Sequence, residues 1–315
     1  YEIGSGLVGS EMCIRDRCKR FWHKERGTYC DPTYNRPDKI YEQVMGLIPQ
    51  LTDEVQLIVQ DNHSDQPVES LFSNDVKAKC TFLRNKYNIG ADANIAKCFE
   101  LCESPWLLVL GDDDPVEDFA VATILEDIKN SEAGRIFLCY DWKQSYVAHG
   151  LDEFLAHCDQ RYWCLFWMSG CVYHLPLLKD FFHQYFYSIS TMQPNIVLLV
   201  NALANHPEYS IEVTGKHIHK LAGPDTHWNR EVYIYASLFM FDVLFKYKSK
   251  LKSTLFHTVA DLLYRHVITM VKTERDFSHA FDLMMRITKR RGIINTVRYD
   301  FHWFIRCLYH VIIRK

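Results

Sequence analysis

The sequence predicts an α/β protein with a mostly parallel sheet, helices on both faces, and a helical C-terminal region. Between residues 32 and 140, short apolar segments alternate with amphipathic segments, which is typical of parallel βαβ units. Beyond residue 228 the apolar residues recur almost throughout at helical spacing. Hydrophobic residues make up 48% of the 315 and charged residues 24%. This composition is that of an ordinary globular protein and excludes the disordered and fibrous classes.

The alternation is regular in the first half of the chain. The segment FWHKERGTYCDP, at 21–32, is a poor strand sequence, although the alternation requires a strand there. Ligands bind beyond the carboxyl ends of the strands in sheets of this kind, so a site is expected at that edge. Strands are predicted at 55–59, 80–83, 106–110 and 136–140, and helices at 38–51, 67–72, 95–101 and 116–128.

The second half is mixed and then helical, and it divides the chain. We expect an α/β domain at 21–229 and a basic helical region at 230–315. Residues 1–20 contain SEMCIRDR, which resembles translated sequencing-adaptor read-through, and they are interpreted as a non-native leader. The predicted elements are helices at 152–158, 176–187 and 195–205, strands at 167–173 and 209–213, and final helices at 231–249, 253–272, 276–290 and 293–313.

The net charge of −3 conceals a division of charge along the chain. Residues 230–315 hold 16 Lys and Arg against 7 Asp and Glu, whereas residues 1–229 hold 20 against 32. A basic helical tail favours contact with an anionic surface, and we expect a peripheral membrane contact rather than nucleic acid. The alternative is a packing subdomain whose charges are simply solvated.

The 11 cysteines include no CxxC pair and often lie in apolar segments, as Cys98, Cys139 and Cys171 do. This pattern is typical of free thiols in a reducing compartment. No apolar segment approaches the roughly 20 residues of a membrane span. The expected location is therefore the cytoplasm, with any membrane contact at the inner face.

The stretch WLLVLGDDDP, at 106–115, places three aspartates directly after an apolar strand. Adjacent carboxylates repel one another unless a cation is close. Asp112 and Asp114 could ligate such a cation. Alternatively, Asp114 could be the N-cap of the next helix, with Pro115 at its first position. The motif alone leaves both interpretations open.

Four polar clusters follow successive predicted strands, and the last of them is the aspartate run. Each cluster alone is more typical of a turn, but their position at one edge of one sheet favours a shared function. The clusters are PTYNR at 32–36, Asp61 with Asn62, the loop from Asn88 to Asn94, and Asp112 to Asp114.

Together these clusters resemble the family 2 glycosyltransferases of GT-A fold, particularly bacterial capsule and O-antigen sugar transferases. The matching segments are PTYNRPD, VQDNHSD, NIGADAN and LGDDD, which begin at Pro32, Val59, Asn88 and Leu110. The resemblance extends over residues 32–140. It implies a Rossmann-like GT-A domain that binds a nucleotide sugar.

The resemblance also implies roles for individual residues. Thr33 and Arg36 would flank the base and ribose of the donor, and Asp61 would accept a hydrogen bond from the base. Asp112 would contact the ribose or a metal-bound water, and Asp114 would ligate Mg²⁺ or Mn²⁺. The full predicted donor site is Thr33, Tyr34, Asn35, Arg36, Asp61, Asn88, Gly90, Asn94, Asp112 and Asp113, and the predicted metal site is Asp112 with Asp114.

The general base is not assigned from the sequence, because the segment SISTMQPNIVLL at 188–199 contains no acid. Trp167, Ser169 and Gly170 either shape the acceptor side or belong to an inner strand, and the strand is favoured. His217 and His219 alternate on a predicted strand, with His227 nearby. One of them could complete a metal shell, although exposed strand histidines are the more common case.

The predicted function is metal-dependent, inverting transfer of a sugar from a nucleotide sugar to a saccharide or lipid-linked saccharide, in cell-surface polysaccharide synthesis. A nucleotidyltransferase is one alternative, although no Gly-rich basic phosphate loop follows the first strand. A non-catalytic scaffold that binds nucleotide sugar is the other, because no base is identified.

Overall fold

The computed structural model describes residues 26–142, 144–157, 167–220, 230–244 and 255–313. The segment interpreted as a leader, at 1–20, and His227 therefore lie outside the described residues.

A single eight-stranded sheet lies at the centre of the described structure, in the order β3-β2-β1-β4-β7-β5-β8-β6. Parallel pairs join β1 to β2 and β4, β2 to β3, and β5 to β8. The antiparallel members are β7, between β4 and β5, and β6, on the edge beside β8. The strands are β1 Gly27–Thr33, β2 Val55–Asp61, β3 Cys80–Arg84, β4 Trp106–Val109, β5 Arg135–Cys139, β6 Ser145–His149, β7 Cys171–His174 and β8 Ser210–Thr214.

Helices cover both faces of the sheet and make up most of the chain after β8. Two π-helical turns, Thr296–Asp300 and Tyr309–Ile313, follow the last two helices. The helices are α1 Pro37–Leu47, α2 Asn74–Lys77, α3 Ala91–Leu101, α4 Ala120–Lys129, α5 Gly150–His157, α6 Leu175–Leu178, α7 Phe182–Tyr187, α8 Pro194–Asn205, α9 Arg230–Val243, α10 Leu255–Glu274, α11 Phe277–Arg291, α12 Ile293–Asn295 and α13 Phe301–Leu308.

The pleat of the strands divides the apolar side chains into two cores. In β1, Tyr29 belongs to the core that contains α1 and α4, whereas Cys30 faces the core that contains α3 and α8. Successive side chains of a strand point to opposite faces, so each buried strand supplies both cores. The second core continues into α9, α10 and α11 through Leu238, Leu263 and Met284. The predicted α/β class, mostly parallel sheet and helical C-terminal region are confirmed.

Two strands differ from what the sequence predicts. Residues Gly27–Thr33 form a regular strand despite their poor strand sequence, because β2 and β4 pair with both of its edges and bury it. The edge strand Ser145–His149 is missing from the sequence prediction, since most of its side chains are exposed and carry no alternating apolar pattern. Its register is set by pairing with β8. Edge strands depend on the neighbour more than on their own sequence.

Shorter elements replace two predictions in the second half. The strand predicted at 167–173 begins only at Cys171, after a 3-10 turn at Met168–Gly170. The single helix predicted at 176–187 is two short helices, α6 and α7, separated by a 3-10 turn at Lys179–Phe181. Within the described ranges, no helix combines the length and apolarity needed to cross a bilayer.

Candidate functional site

The carboxyl ends of β1, β2 and β4 bring the four sequence clusters to one edge of the sheet. Thr33 is in register with Asp61, and the amide of Asn62 donates to the Thr33 carbonyl at 2.9 Å. On the other side of β1, the amide of Leu110 donates to the Cys30 carbonyl at 3.1 Å. The loops that follow these three strands are therefore neighbours, as the parallel arrangement requires.

Arg36 joins the first cluster to the aspartate run. Its Nη1 lies 2.6 Å from Oδ1 of Asp112, and its Nη2 lies 3.0 Å from Oδ2 of Asp113. The other oxygen of Asp112 accepts a hydrogen bond from the hydroxyl of Thr33 at 2.6 Å. Burial raises the pKa of Asp112, and the contacts with Thr33 and Arg36 oppose that shift. Four of the predicted donor-site residues thus form one hydrogen-bonded group.

Asn35 connects the loop after β1 to the loop after β2. Its backbone has a positive φ of 53°, a conformation that asparagine tolerates better than most residues. Its amide nitrogen donates to Ser64 Oγ at 2.9 Å, and its side chain exchanges hydrogen bonds with Asp65. Asn35 thus stabilises the turn, while Tyr34 beside it remains 42% exposed.

Asp61 is buried at the end of β2, and protein groups contact both of its oxygens. Oδ1 accepts from the amide of Ser64 at 2.8 Å, and Oδ2 contacts the guanidinium of Arg84 and the amide of Val68. This carboxylate holds its own loop in place. Its predicted contact with a base stays a prediction.

Asn62 organises the loop that contains the predicted residues Asn88 and Gly90. Its Oδ1 accepts from the amide of Ile89 at 3.0 Å and from Asn85 Nδ2 at 2.9 Å. Its Nδ2 donates to Asn88 Oδ1 at 2.9 Å and to the carbonyl of Gly90 at 3.3 Å. In the sequence, Asn62 belongs to one of the four polar clusters, but no local pattern distinguishes it from an ordinary turn residue or predicts that it belongs to the site.

Gly90 and Asn94 complete this loop. Gly90 has a φ of 87° and precedes α3, where a Cβ would meet no other atom within 4 Å. Glycine is thus favoured at this position by the positive φ, and not by a lack of space for a side chain. Asn94 is buried and donates to the Gln60 carbonyl at 3.1 Å, and it accepts from Asn85 at 2.7 Å. It holds α3 to β2.

Asp114 lies apart from the Arg36 group and faces residues that come more than fifty positions later. Its Oδ2 accepts from Trp167 Nε1 at 2.9 Å and from Ser169 Oγ at 2.5 Å. Ser169 Oγ also accepts from the amide of Gly111 at 2.9 Å. A Cβ on Gly111 would lie 2.8 Å from Asp114 Oδ2, so a larger residue at this position would displace the Asp114 carboxylate.

The helix-cap interpretation of Asp114 is wrong. The helix expected from residue 116 begins at Ala120, because the intervening residues pair with the segment after β8. Val116 forms a β-bridge with His219, and the amide of Glu117 donates to the Ile218 carbonyl at 2.8 Å. The Asp114 carboxylate is consequently available for the site rather than for a helix terminus.

His219 and Asp141 form a buried pair beside Asp114. Nδ1 of His219 lies 2.6 Å from Oδ2 of Asp141, so Nδ1 carries the shared proton. Burial opposes ionisation of Asp141, but its hydrogen bonds with His219 outweigh that effect and lower its pKa. The His219 ring lies 4.4 Å from that of Trp167, and its Nε2 is buried without a hydrogen-bond partner among the described residues. His217, by contrast, is exposed.

Asp141 is not among the site residues predicted from the sequence. It follows the strand predicted at 136–140, as Asp61 and Asp112 follow theirs, so the same signal was present. Its backbone has a φ of 61°, and its Oδ1 accepts from the amides of Ile218 and His219. It holds the segment that carries His219 against the sheet.

The three carboxylates of Asp112, Asp113 and Asp114 outnumber the guanidinium of Arg36. Burial raises the pKa of Asp114, the charge of Asp113 adds to that rise, and Ser169, Trp167 and His219 oppose it. No group of three or more His, Cys, Asp or Glu side chains in the described ranges is already arranged around a metal position. Hard oxygen ligands and an unpartnered imidazole nitrogen are nevertheless groups that suit a divalent cation, so the donor set fits one.

A cavity of about 250 Å³ opens beside Asp114, next to the end of β4. The residues that line it include Trp167, Ser169, Asp92 and Tyr185. Of the acceptor-side residues named from the sequence, Trp167 and Ser169 line the cavity through the turn that precedes β7. The cavity is a concave space that combines aromatic surface with carboxylates, as sites for polar small molecules do.

Comparison with known proteins agrees with this arrangement. Residues 30–152 match the family described as "Glycosyl transferase family 2". No curated protein matches the chain by sequence.

Solved structures of similar fold include residues 1–349 of S. aureus TarS, with a TM-score of 0.58, 12% identity, and coverage of 90% of this chain and 86% of that chain. The same fragment in complex with UDP-GlcNAc has a TM-score of 0.54 and 15% identity, and the match covers 84% of this chain and 82% of that chain. A longer S. aureus TarS structure has a TM-score of 0.56 and 15% identity, and the match covers 89% of this chain and 54% of that chain. Residues 30–152 therefore match the family 2 glycosyltransferases, and the fold of the chain is similar to that of these solved structures.

Proposed function

We propose that this protein is a metal-dependent, inverting glycosyltransferase that moves a sugar from a nucleotide sugar to a saccharide or lipid-linked saccharide in cell-surface polysaccharide synthesis. The observation that carries the proposal is the position of Asp114, which lines the cavity while the Arg36–Asp112 group lies on the adjoining turn. In such a donor a diphosphate joins the nucleotide to the sugar. The enzyme therefore needs a nucleotide site and a sugar site that adjoin each other.

In this proposal the nucleotide lies over the loops after β1 and β2. Arg36 and Thr33 flank it, exposed Tyr34 offers an aromatic surface, and Asp112 and Asp113 reach the ribose. The start of the Asn88–Asn94 loop, from Asn88 to Gly90, lies against the nucleotide. Its hydrogen bonds with Asn62 support this role because they fix the loop before any ligand binds.

Asp112, Asp114 and His219 would hold the divalent cation, Mg²⁺ or Mn²⁺. A cation bound there would offset the charge that develops on the departing nucleoside diphosphate. The buried Nε2 of His219 supports this assignment because an unpartnered polar atom in the interior is costly. Asp141 orients that nitrogen by fixing the proton on Nδ1, which is how carboxylates commonly support a histidine ligand.

The test is a thermal-shift and turnover series with Asp114→Asn. We expect UDP-GlcNAc, the first donor to try because S. aureus TarS was solved with it, or another nucleotide sugar to raise the melting temperature more with Mn²⁺ than with EDTA. Sugar transfer or donor hydrolysis should be suppressed by EDTA. Asp114→Asn should lower turnover by about 10²-fold or more, since it removes a charged ligand of the site.

The matched control is Asp118→Asn, which removes a nearby carboxylate whose side chain is 89% exposed. It should leave turnover unchanged. Full activity in EDTA would contradict the metal dependence, and retention of the anomeric configuration would contradict the inverting mechanism. Release of pyrophosphate from a nucleoside triphosphate would instead favour a nucleotidyltransferase.

We further propose that the helical region at 230–315 makes a peripheral contact with an anionic membrane, at the cytoplasmic face where lipid-linked acceptors would lie. The support is an exposed apolar face on the last helical segment, with spacings of three and four residues that repeat along one side of a helix. Two arginines, Arg298 and Arg306, are exposed along the same segment. This C-terminal apolar stripe consists of Ile294, Val297, Phe301, Ile305, Tyr309 and Ile312.

A further inference from the structure

The cavity beside Asp114 contains a second carboxylate, Asp92, that the donor site does not use. Asp92 lies in the first turn of α3 and lines the cavity. No described residue forms an ion pair or hydrogen bond with its carboxylate, whereas Asp114 accepts hydrogen bonds from Trp167 and Ser169. Burial raises the pKa of Asp92. A half-buried carboxylate without a protein partner is able to accept a hydrogen bond from a ligand that enters the cavity.

Tyr185 gives an independent indication that a polar ligand enters here. It is fully buried and lines the same cavity, yet its hydroxyl has no hydrogen-bond partner among the described residues. Burial raises the pKa of Tyr185, and the charges of Cys98 and Asp92 add to the rise. Unpaired buried hydroxyls are uncommon in folded proteins. Both groups would be satisfied by a hydroxylated ligand.

We propose that Asp92 is the general base of the transfer reaction and that Tyr185 orients the attacking hydroxyl towards it. The inference rests on the proposed inverting function, which requires a proton acceptor on the acceptor side. Among the described residues that line the cavity, Asp92 and Asp114 are the two carboxylates. Asp114 accepts two hydrogen bonds on its Oδ2 and is assigned to the cation, whereas neither oxygen of Asp92 has a partner among the described residues.

The step balances without a further reactant. The acceptor oxygen forms a bond to the anomeric carbon, and the bond from that carbon to the donor's phosphate oxygen breaks. The electron pair of the broken bond leaves with the nucleoside diphosphate, and the acceptor's proton moves to a carboxylate oxygen of Asp92. Burial favours this role because it raises the affinity of Asp92 for a proton towards the range useful for base catalysis.

Asp92→Asn and Asp92→Ala test the proposal with UDP-GlcNAc, UDP-glucose and GDP-mannose as donors and water as the acceptor. The loss of a general base is expected to lower kcat by about 10²–10⁴-fold. The KM and Kd of the donor should stay unchanged. Sodium azide is the discriminating addition, because the azide anion attacks without losing a proton. It should restore turnover in Asp92→Ala and produce a glycosyl azide, while wild-type turnover is unaffected.

Glu100→Gln is the matched control, since it changes an exposed acid on the same helix. It should leave kcat unchanged, and circular dichroism should show that all variants fold. Full kcat in Asp92→Asn would overturn the role of Asp92 and leave the proposed function intact. The role of Asp92 as the base would also be overturned if kcat falls, the KM of the donor rises and azide does not restore turnover. That result would assign Asp92 to donor binding. Failure of the wild type with every donor would count against the proposed function itself.

Discussion

Asp31 is a residue whose surroundings fix its protonation state. It lies near the end of β1, is fully buried, and neither oxygen of its carboxyl group has a partner among the described residues. Burial and the charge of Asp112 raise its pKa well above the usual range. Burial therefore favours the neutral, protonated form of Asp31 in the folded protein. Asp61 is also buried, but it differs from Asp31 because Arg84 and two backbone amides contact its carboxylate.

This difference predicts a pH dependence of stability. Between the ordinary aspartate pKa of about 4 and the raised pKa of Asp31, the folded state binds a proton that the unfolded state has released. Stability from this group therefore falls as pH rises through that window. Asp31→Asn, which cannot ionise, should remove this part of the slope. The measurement is the free energy of unfolding by urea across a pH series, in buffer without divalent ions.

Asp75→Asn serves as the control because Asp75 is exposed, and it should keep the wild-type slope. The slope is the informative quantity, since a packing change caused by the amide shifts the curve without altering its dependence on pH. Equal slopes for wild type and Asp31→Asn would contradict the prediction.

At the scale of elements, the site depends on loops that are fixed by side chains rather than by regular structure. The loop before α3 is held to the end of β2 by Asn62, which makes four hydrogen bonds to it and to Asn85. The turn before α4 is held by the segment after β8, through Val116 and His219. Loops that carry function are commonly positioned in this way by a rigid sheet.

Asn62→Ala should loosen the loop before α3. The change removes the acceptor of the Asn85 side chain and of the amide of Ile89, an exposed residue, at a cost of about 0.5–1.5 kcal/mol for a typical hydrogen bond. Hydrogen exchange at the Ile89 amide should accelerate, and the KM of the donor should rise while kcat changes less. Gln56→Ala, on an exposed position of the same strand, is the control. Unchanged exchange at Ile89 would show that the loop is held by other contacts.

At the scale of the whole molecule, the helices after β8 have one surface packed against the core and another exposed to solvent. Leu238, Leu263 and Met284 join the core that contains α3 and α8, so this region is packed against the sheet. The C-terminal apolar stripe points away from that core, with Ile294 81% exposed and Phe301 51% exposed. A run of exposed apolar residues on one helix face is typical of a surface that contacts something else.

The membrane proposal predicts binding to phosphatidylglycerol vesicles and weaker binding to phosphatidylcholine vesicles, because basic residues favour anionic lipid. The double substitution Ile294→Ser with Ile305→Ser should lower vesicle partitioning by about tenfold or more, since burial of each apolar side chain contributes about 1.5–3 kcal/mol. Co-sedimentation with vesicles measures it.

The control for vesicle binding is Phe186→Ser, because Phe186 is as exposed as Ile305 but lies on α7. Its partitioning should match the wild type. Absence of binding to both kinds of vesicle, or equal binding by wild type and the double variant, would contradict the proposal.

The sequence by itself determined the alternation of strands and helices from 55 to 140 and the edge at which the polar clusters meet. Apolar periodicity is a local property, and parallel strands bring their carboxyl ends together whatever the order of pairing. Asp61 and Asp112 could therefore be placed at one edge without coordinates. The sequence also made the cation interpretation of Asp114 available, but not its partners.

Only the tertiary structure decided which groups face one another. Trp167 and Ser169 reach Asp114 across 53 and 55 residues, and His219 reaches Asp141 across 78. Asp92 reads as an ordinary residue of a helix first turn until the cavity beside it is seen. Burial, an unpaired hydroxyl and a shared cavity are properties of packing between distant segments. Local sequence patterns carry no record of them, because the same short segment can be exposed or enclosed depending on what folds over it.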